Sequence, residues 1–179
     1  STNSEYAENF ESCWLYENLG QNNNPDFNFI TKNFLQTEMI DLGTSAFPTF
    51  YDHNNDGLLD LIVGNYGYND INNPDPISSL ALFENIGTNN IPEFDLKDRN
   101  WQNISSINLN ISQNIPAYSL SPTFGDLDGD GDKDMILGDE AGLLHYFNNQ
   151  SGNFTISSPN YQNIDVGNIA QPQLVDVNR

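Results

Sequence analysis

The chain has 179 residues, with five Lys and Arg against 25 Asp and Glu and a formal net charge of −20. So few cations exclude a basic nucleic-acid surface, and so acidic a face disfavours direct attraction to anionic lipids or phosphates. The length suits one domain or a segment of one, no apolar run approaches a membrane span, and a single cysteine forbids an internal disulfide.

Taken from the N-terminus, WLYENLGQNNNPDF (Trp14 to Phe27) predicts a strand, a polar Asn/Gly turn and a return strand. Cys13, beside Trp14 in that strand, is expected as a buried small apolar residue. MIDLG (Met39 to Gly43) precedes a strand opening at Pro48, a place where a missing N–H is tolerated. AFPTFYD then leads into DHNNDGLLD, in which Asp52, Asn54, Asp56 and Asp60 hold positions 1, 3, 5 and 9 and Gly57 holds position 6. LLDLIVG follows as a short β-prone run. NYGYNDINNPDPISS (Asn65 to Ser79) reads as a long surface loop, and ALFENIGTNNIPEF (Ala81 to Phe94) aligns without gaps on the first block. Between Asp98 and Pro116 the alternation of Ile107, Leu109 and Ile111 predicts an extra strand.

The second half repeats this order. LSPTFGD enters DLDGDGDKD, where Asp126, Asp128, Asp130 and Asp134 take positions 1, 3, 5 and 9 and Gly131 takes position 6. KDMILG follows, then LHYFNNQSGNF (Leu144 to Phe154) as a shortened copy of the aligned block, then NIDVG (Asn163 to Gly167) matching MIDLG. QPQLVDVNR re-enters the loop pattern, with Asp176 and Asn178 at positions 1 and 3 of an incomplete third site. Strands are predicted near Thr49–Tyr51, Leu59–Val63, Leu80–Asn85, Thr123–Gly125, Asp134–Leu137 and Leu143–Phe147.

Hard oxygen donors at alternate positions, followed by a glycine for a sharp turn, can wrap a Ca²⁺ ion, which takes about 6–8 oxygens. Position 7 (Leu58, Asp132) would give its backbone carbonyl, leaving its side chain free to vary. An EF-hand is excluded, because position 12 is Val63 or Leu137 rather than Glu and the flanks are β-prone. An acidic turn without metal explains one such loop, since Asp, Asn and Gly dominate turns. Two loops of equal spacing and equal flanks favour calcium, and the five aspartates of Asp126–Asp134 repel one another unless a cation sits among them. Ligand charge makes that loop the tighter of the two.

The order strand, D-x-[DN]-x-D-G-x-x-D, apolar strand ending in glycine, then aromatic-x-N strand resembles the FG-GAP/VCBS repeat. That repeat builds calcium-bearing β-propellers, among them the head of integrin α-subunits and many secreted bacterial proteins. The resemblance implies an all-β fold of four-stranded antiparallel blades, with the metal loop joining the first and second strands and the ENIG-type segment as the third. It implies Asp52, Asn54, Asp56 and Asp60, with Asp126, Asp128, Asp130 and Asp134, as ligands of two Ca²⁺ ions; His53 departs from the usual small or apolar residue at position 2. On this reading residues 1–44 are the second half of a blade plus a connection, 45–98 a complete blade, and 99–117 an insertion. Residues 118–158 form a second complete blade, and 159–179 a connection and the first strand of a further one. The chain is expected to be an excerpt of a longer polypeptide whose remaining blades are its first partners.

Catalytic constellations are nearly absent from the sequence: His53 lies in a loop, His145 in a predicted strand, and there is no G-x-S-x-G elbow, Cys–His arrangement or zinc spacing, while carboxylate pairs for glycoside hydrolysis are recognised only by geometry. The leading expectation is a calcium-stabilised extracellular or cell-surface module for adhesion to a protein or glycan ligand, without catalysis of its own. A carbohydrate-active propeller (lectin or polysaccharide lyase) and a passive segment of a type IX secretion cargo are the alternatives, the last in keeping with an Asn-rich, Arg-poor style that looks Bacteroidetes-like. Tyr66, Tyr68 and Trp101 fall in the irregular insertions, where contact residues often live; packing against their own blade is the plainer role. The sequons at Asn103, Asn110, Asn149 and Asn153 are no more than chance supplies in so Asn-rich a chain.

Overall fold

The computed structural model describes residues 13–32, 34, 40–70, 73–109 and 117–177, divided into a first unit ending at Asp41 and a second starting at Leu42. The first unit is a hairpin of β1 (Leu15–Asn18) and β2 (Phe27–Thr31). Its turn is tied by Asn18, whose Oδ1 accepts the N–H groups of Gly20 (3.0 Å) and Asp26 (2.9 Å). Trp14, Tyr16 and Phe29 cluster on one face with ring centroids 5.6–6.5 Å apart. Cys13, expected buried, is exposed instead, as a two-stranded ribbon has too little surface to enclose a residue at its end.

In the second unit β3 (Phe47–Tyr51) and β4 (Asp60–Gly64) pair antiparallel, from Phe47 opposite Gly64 to Tyr51 opposite Asp60. Next come β5 (Tyr68–Asp70) and β6 (Asn73–Ile77), a hairpin of their own, and then β7 (Leu80–Asn85) and β8 (Phe94–Asp98), which complete a sheet of order β3-β4-β7-β8. The second sheet is a simple meander of β9 (Ser121–Gly125), β10 (Asp134–Gly138), β11 (Leu144–Gln150) and β12 (Asn153–Ser158). The fold is all-β, made of antiparallel four-stranded sheets like propeller blades, and the ENIG-type segments are the third strands.

Period-two alternation sends side chains to both faces of each sheet. On β4, Ile62 joins the large core while Val63 faces a smaller one with Ala81 and Phe83. The large core lies between the sheets, with Ile62, Leu80 and Leu82 from one and Met135, Leu137 and Phe147 from the other. Gly64 and Gly138 close the second strands where the chain of the following repeat crosses. A Cβ on Gly64 would collide with the Leu120 carbonyl, and one on Gly138 with that of Ala170. Leu120 N–H donates to the Asn65 carbonyl (3.0 Å) and Ala170 N–H to that of Asp139 (2.8 Å), the same bond in successive repeats. The starts of β3 and β9 and residues 171–173 line one open groove of about 420 Å³, as the first strands of blades line a propeller's axis.

Three expectations need correction. The Asn65–Ser79 stretch is not an irregular loop, because β5 and β6 form within it; the prolines at 74 and 76 sit on a two-stranded ribbon where a missing donor breaks no inner ladder. The segment after Asp98 is not a strand over its described part but a 3-10 turn, Trp101–Ser106, with Gln102 and Asn103 in left-handed backbone. The left-handed pair breaks the helical path between them, and Trp101 and Ile104 both enter the core; Ile111 and Asn110 lie outside the described residues. Trp101 is therefore no surface contact residue, being only 5% exposed. Its ring sits 5.3–6.1 Å from those of Tyr51, Phe124 and Phe154, which belong to both sheets. Residues 171–177 form no strand among the described residues, where no ladder partner is available to them; Met39 and Asn178 are outside the description.

Candidate metal centres

Both acidic loops join the first and second strands of a sheet, Asp52–Asp60 between β3 and β4 and Asp126–Asp134 between β9 and β10. Each is closed at position 1. Asp52 accepts the N–H groups of Asp56 (Oδ1, 3.2 Å) and Gly57 (Oδ2, 3.0 Å). Asp126 accepts those of Gly129 (2.7 Å) and Gly131 (3.2 Å). The turn needs left-handed backbone twice, at position 4 (Asn55 φ 59°, Gly129 φ 83°) and at position 6 (Gly57 φ 88°, Gly131 φ 97°). Asn and Gly are the residues that adopt it cheaply, so glycine at position 6 answers a torsional demand, not a crowded one: no atom lies within 4 Å of a Cβ built there.

Position 9 anchors the loop to the sheet. Asp60 and Asp134 are fully buried. Asp60 accepts the position-2 N–H of His53 (2.9 Å) and, across the sheet, the N–H of Asn85 on β7 (2.8 Å). Asp134 does the same with Leu127 (3.0 Å) and Asn149 on β11 (2.9 Å), and its Oδ2 also accepts the Tyr146 hydroxyl (3.2 Å). Burial first, with the Asp134 charge behind it, pushes the Tyr146 phenol above its ordinary value. Asn85 and Asn149 then cap the next turn as Asn18 does, through Gly87 and Glu93 in one case and Gly152 in the other.

The exposed rim is made of positions 1, 3 and 5. The carboxylate oxygens of Asp126, Asp128 and Asp130 all lie within 4.8 Å of one another, so they can hold a metal ion. The donor set is all oxygen and strongly anionic, the chemistry of a hard cation such as Ca²⁺. At the corresponding place Asn54 donates from Nδ2 to Asp56 Oδ2 (2.9 Å) while its Oδ1 accepts Asp56 N–H (3.0 Å). At position 7 the two loops differ in what they contact. Asp132 Oδ2 accepts Ser151 N–H (2.9 Å), and half-buried Leu58 donates its own N–H to Asp56 Oδ1 (2.8 Å). His53 lies edge-on to Trp101, ring centroids 6.5 Å apart. Two residues outside the loop motif also reach the rims. Glu84 Oε1 stands 3.4 Å from Asn54 Nδ2, and Asn148 Nδ2 donates to Asp128 Oδ2 at 2.7 Å. Both lie one residue before the capping asparagine of the aligned block, which was the available signal in the sequence.

A buried polar pair away from the loops, His145 and Asp139, is 3.2 Å apart and wholly enclosed. Among the described residues no helix is long and apolar enough to cross a membrane. No curated protein and no solved structure matches the chain. Residues 52–137, from position 1 of the first loop to β10 beyond the second, match the family model described as FG-GAP-like repeat, and this segment is similar to that repeat.

Proposed function

We propose that the chain is a calcium-stabilised module of an extracellular or cell-surface protein, presenting its loops to a protein or glycan ligand and performing no catalysis itself. The observation that carries this is the coincidence of two acidic loops, each with a buried position-9 aspartate bonded to the third strand of its own sheet. Asp52, Asn54, Asp56 and Asp60 would hold one ion with the carbonyl of Leu58, and Asp126, Asp128, Asp130 and Asp134 the other with that of Asp132. The ion supplies positive charge that offsets the mutual repulsion of the rim. The chain supplies the rest: fixed N–H groups that hold each carboxylate, and a turn that keeps the rim open to solvent. Loops of this kind without an EF-hand scaffold suit the millimolar calcium of extracellular fluid.

Titration of the chain with Ca²⁺ tests the reading. An ion that binds only the folded state stabilises it by about 2.7 kcal/mol at a hundredfold excess over Kd, so the melting temperature should rise with Ca²⁺ and fall back on chelation. Binding to any glycan or protein ligand should disappear in parallel with the fold. A melting curve indifferent to calcium and chelator would refute it, and turnover of a polysaccharide abolished by changing an acid outside the two loops would replace it with an enzyme.

A further inference from the structure

Each four-stranded sheet is followed by the same motif, Asn100-Trp101-Gln102-Asn103-Ile104 after β8 and Asn160-Tyr161-Gln162-Asn163-Ile164 after β12. The backbone repeats with the residues. Gln102 and Gln162 have φ 59° and 56°, the asparagine after each has φ 54°, and the carbonyls of Asn100 and Asn160 accept the N–H groups of Asn103 and Asn163. The first copy of the motif is a wedge between the sheets. Trp101 lies against Phe124 of β9 and Phe154 of β12, ring centroids 6.1 and 5.3 Å away, and Gln102 Nε2 donates to the Gly152 carbonyl in the β11–β12 turn (3.0 Å). Phe124 and Phe154 are its seat, their own centroids 6.0 Å apart. The second copy meets no phenylalanine pair among the described residues. Tyr161 has Tyr146 of its own sheet as its ring neighbour (5.3 Å), and Ile164 is exposed where Ile104 is buried. The first sheet, conversely, carries a seat with no wedge in it among the described residues. Phe50 and Phe124 each follow the Pro-Thr of a first strand, and Phe94 and Phe154 each pair with a capping asparagine, Asn85 or Asn149. Phe50 and Phe94 have centroids 6.3 Å apart and are 57% and 37% exposed, against 6% for Phe154 under Trp101.

We propose that the chain binds a second copy of itself head to tail, the Asn160–Ile164 wedge of one copy entering the Phe50–Phe94 seat of the other. The contact between the two sheets of a single chain is the template: an aromatic ring on a phenylalanine pair, and a glutamine amide on a carbonyl of the neighbouring turn. Burial of the exposed rings supplies the driving force, at about 25 cal/mol per Å² of apolar surface removed from water. Wedge and seat are different surfaces of one molecule, so the contact is heterologous and each pair keeps one of each for further copies. The formal charge of −20 opposes association, and salt strengthens it by screening that repulsion. The inference stands apart from the calcium reading above.

The test is sedimentation velocity of the 179-residue chain over a concentration series at fixed CaCl₂. The weight-average mass should rise with concentration, and more steeply at high NaCl than at low. Phe50→Asp removes the seat and Tyr161→Ser the wedge, and each should weaken association by about tenfold or more, as loss of an aromatic anchor does. Mixed together, the two variants should form a heterodimer that grows no further, because one keeps the wedge and the other the seat. A monomer at every concentration would overturn the proposal and leave both surfaces to other chains. Association that survives both substitutions, or a mixture that stays monomeric, would overturn it as well. Circular dichroism checks that each variant folds; should Tyr161→Ser fail to fold, Phe50→Asp, at a side chain already mostly in water, decides by whether association is lost.

Discussion

The two four-stranded sheets are copies of one plan, yet they settle the same buried positions with different chemistry. At the end of the second strand, Asn65 accepts Ser79 N–H on its Oδ1 (2.8 Å) and donates to the Leu42 carbonyl (2.8 Å). The matching residue of the other sheet is Asp139, which accepts Leu143 N–H (2.9 Å) in the same way but turns its other oxygen to His145 (3.2 Å). Where His145 stands, the first sheet has Ala81. A neutral amide on a backbone carbonyl in one blade thus becomes a buried carboxylate–imidazole pair in the other, and the imidazole also meets the Pro159 carbonyl (2.7 Å). The repeat specifies the backbone bond and leaves the second partner to local choice. The loops obey the same rule, with the carboxylate–amide pair at the rim reversed and the buried position-9 aspartate kept.

The largest effects should come from what is kept. Asp60→Ala and Asp134→Ala each orphan backbone donors in the interior, at about 1–3 kcal/mol per donor. Asp134 has the Tyr146 hydroxyl as an additional partner, so urea denaturation should show the greater loss there; equal losses would mean that the phenol contributes nothing. Next is the exchanged pair. His145→Ala, which copies Ala81, removes one partner of the buried Asp139, which keeps the Leu143 N–H, and should cost roughly 1–3 kcal/mol. Adding Asp139→Asn should then recover about 1–3 kcal/mol of coupling, and strict additivity in that double-mutant cycle would break the equivalence of the two solutions. Smaller, and equal in both blades, should be Gly57→Ala and Gly131→Ala, which force a Cβ into left-handed backbone at roughly 1–2 kcal/mol without a steric clash. A clear difference between the two would show that the loops do not share one geometry.

The smallest effect is expected at high pH. Tyr51 packs face to face on Phe124, with centroids 4.3 Å apart. Burial first, then the charges of Asp132 and Asp52, pushes its phenol above the ordinary 10.0 despite the opposing bond from Asn149. A group whose folded value is raised stabilises the fold below its unfolded value and loses that contribution as pH rises through the folded one. Stability should therefore fall above about pH 10, and Tyr51→Phe should flatten that fall. The second blade has Gly125 at this place and its raised phenol at Tyr146 on β11 instead, so an unaltered profile in Tyr51→Phe would assign the alkaline loss elsewhere.

Much of this was legible in the sequence because the signals were periodic. Strand alternation, a glycine at the close of each second strand and oxygen donors at odd loop positions located both loops and the first three strands of each sheet to within three residues. The insertions were not legible, for reasons that lie in individual residues. Asn-Pro-Asp-Pro suggests a loop, since proline cannot donate to a ladder, but a lone hairpin has outer edges with no ladder to break. The alternation of Ile107 and Leu109 suggested a strand, and nothing in it foretold the left-handed backbone at Gln102 and Asn103 that separates the buried Trp101 and Ile104. Glu84 was overlooked because its partner, Asn54, lies 30 residues away and only the register of β4 against β7 brings them together. Cys13 shows the converse: neighbours in sequence promised burial, and a two-stranded ribbon could not provide it.

The hairpin β5–β6 carries one more consequence. It is inserted between the second and third strands of its sheet, whereas the second sheet crosses the same gap with the few residues from Asp139 to Leu143. Yet Leu61–Gly64 pair with Leu80–Phe83 in the register that Met135–Gly138 keep with Leu144–Phe147. That gap lies at the end of the sheet remote from the acidic loops, because the strands alternate in direction. A graft between residues 139 and 143 should leave the loops undisturbed, provided that the bonds of this turn to Tyr118, Val166, Ile169 and Ala170 are kept. An epitope or a fluorescent reporter placed at that position would ride on the domain at the end opposite the acidic rims.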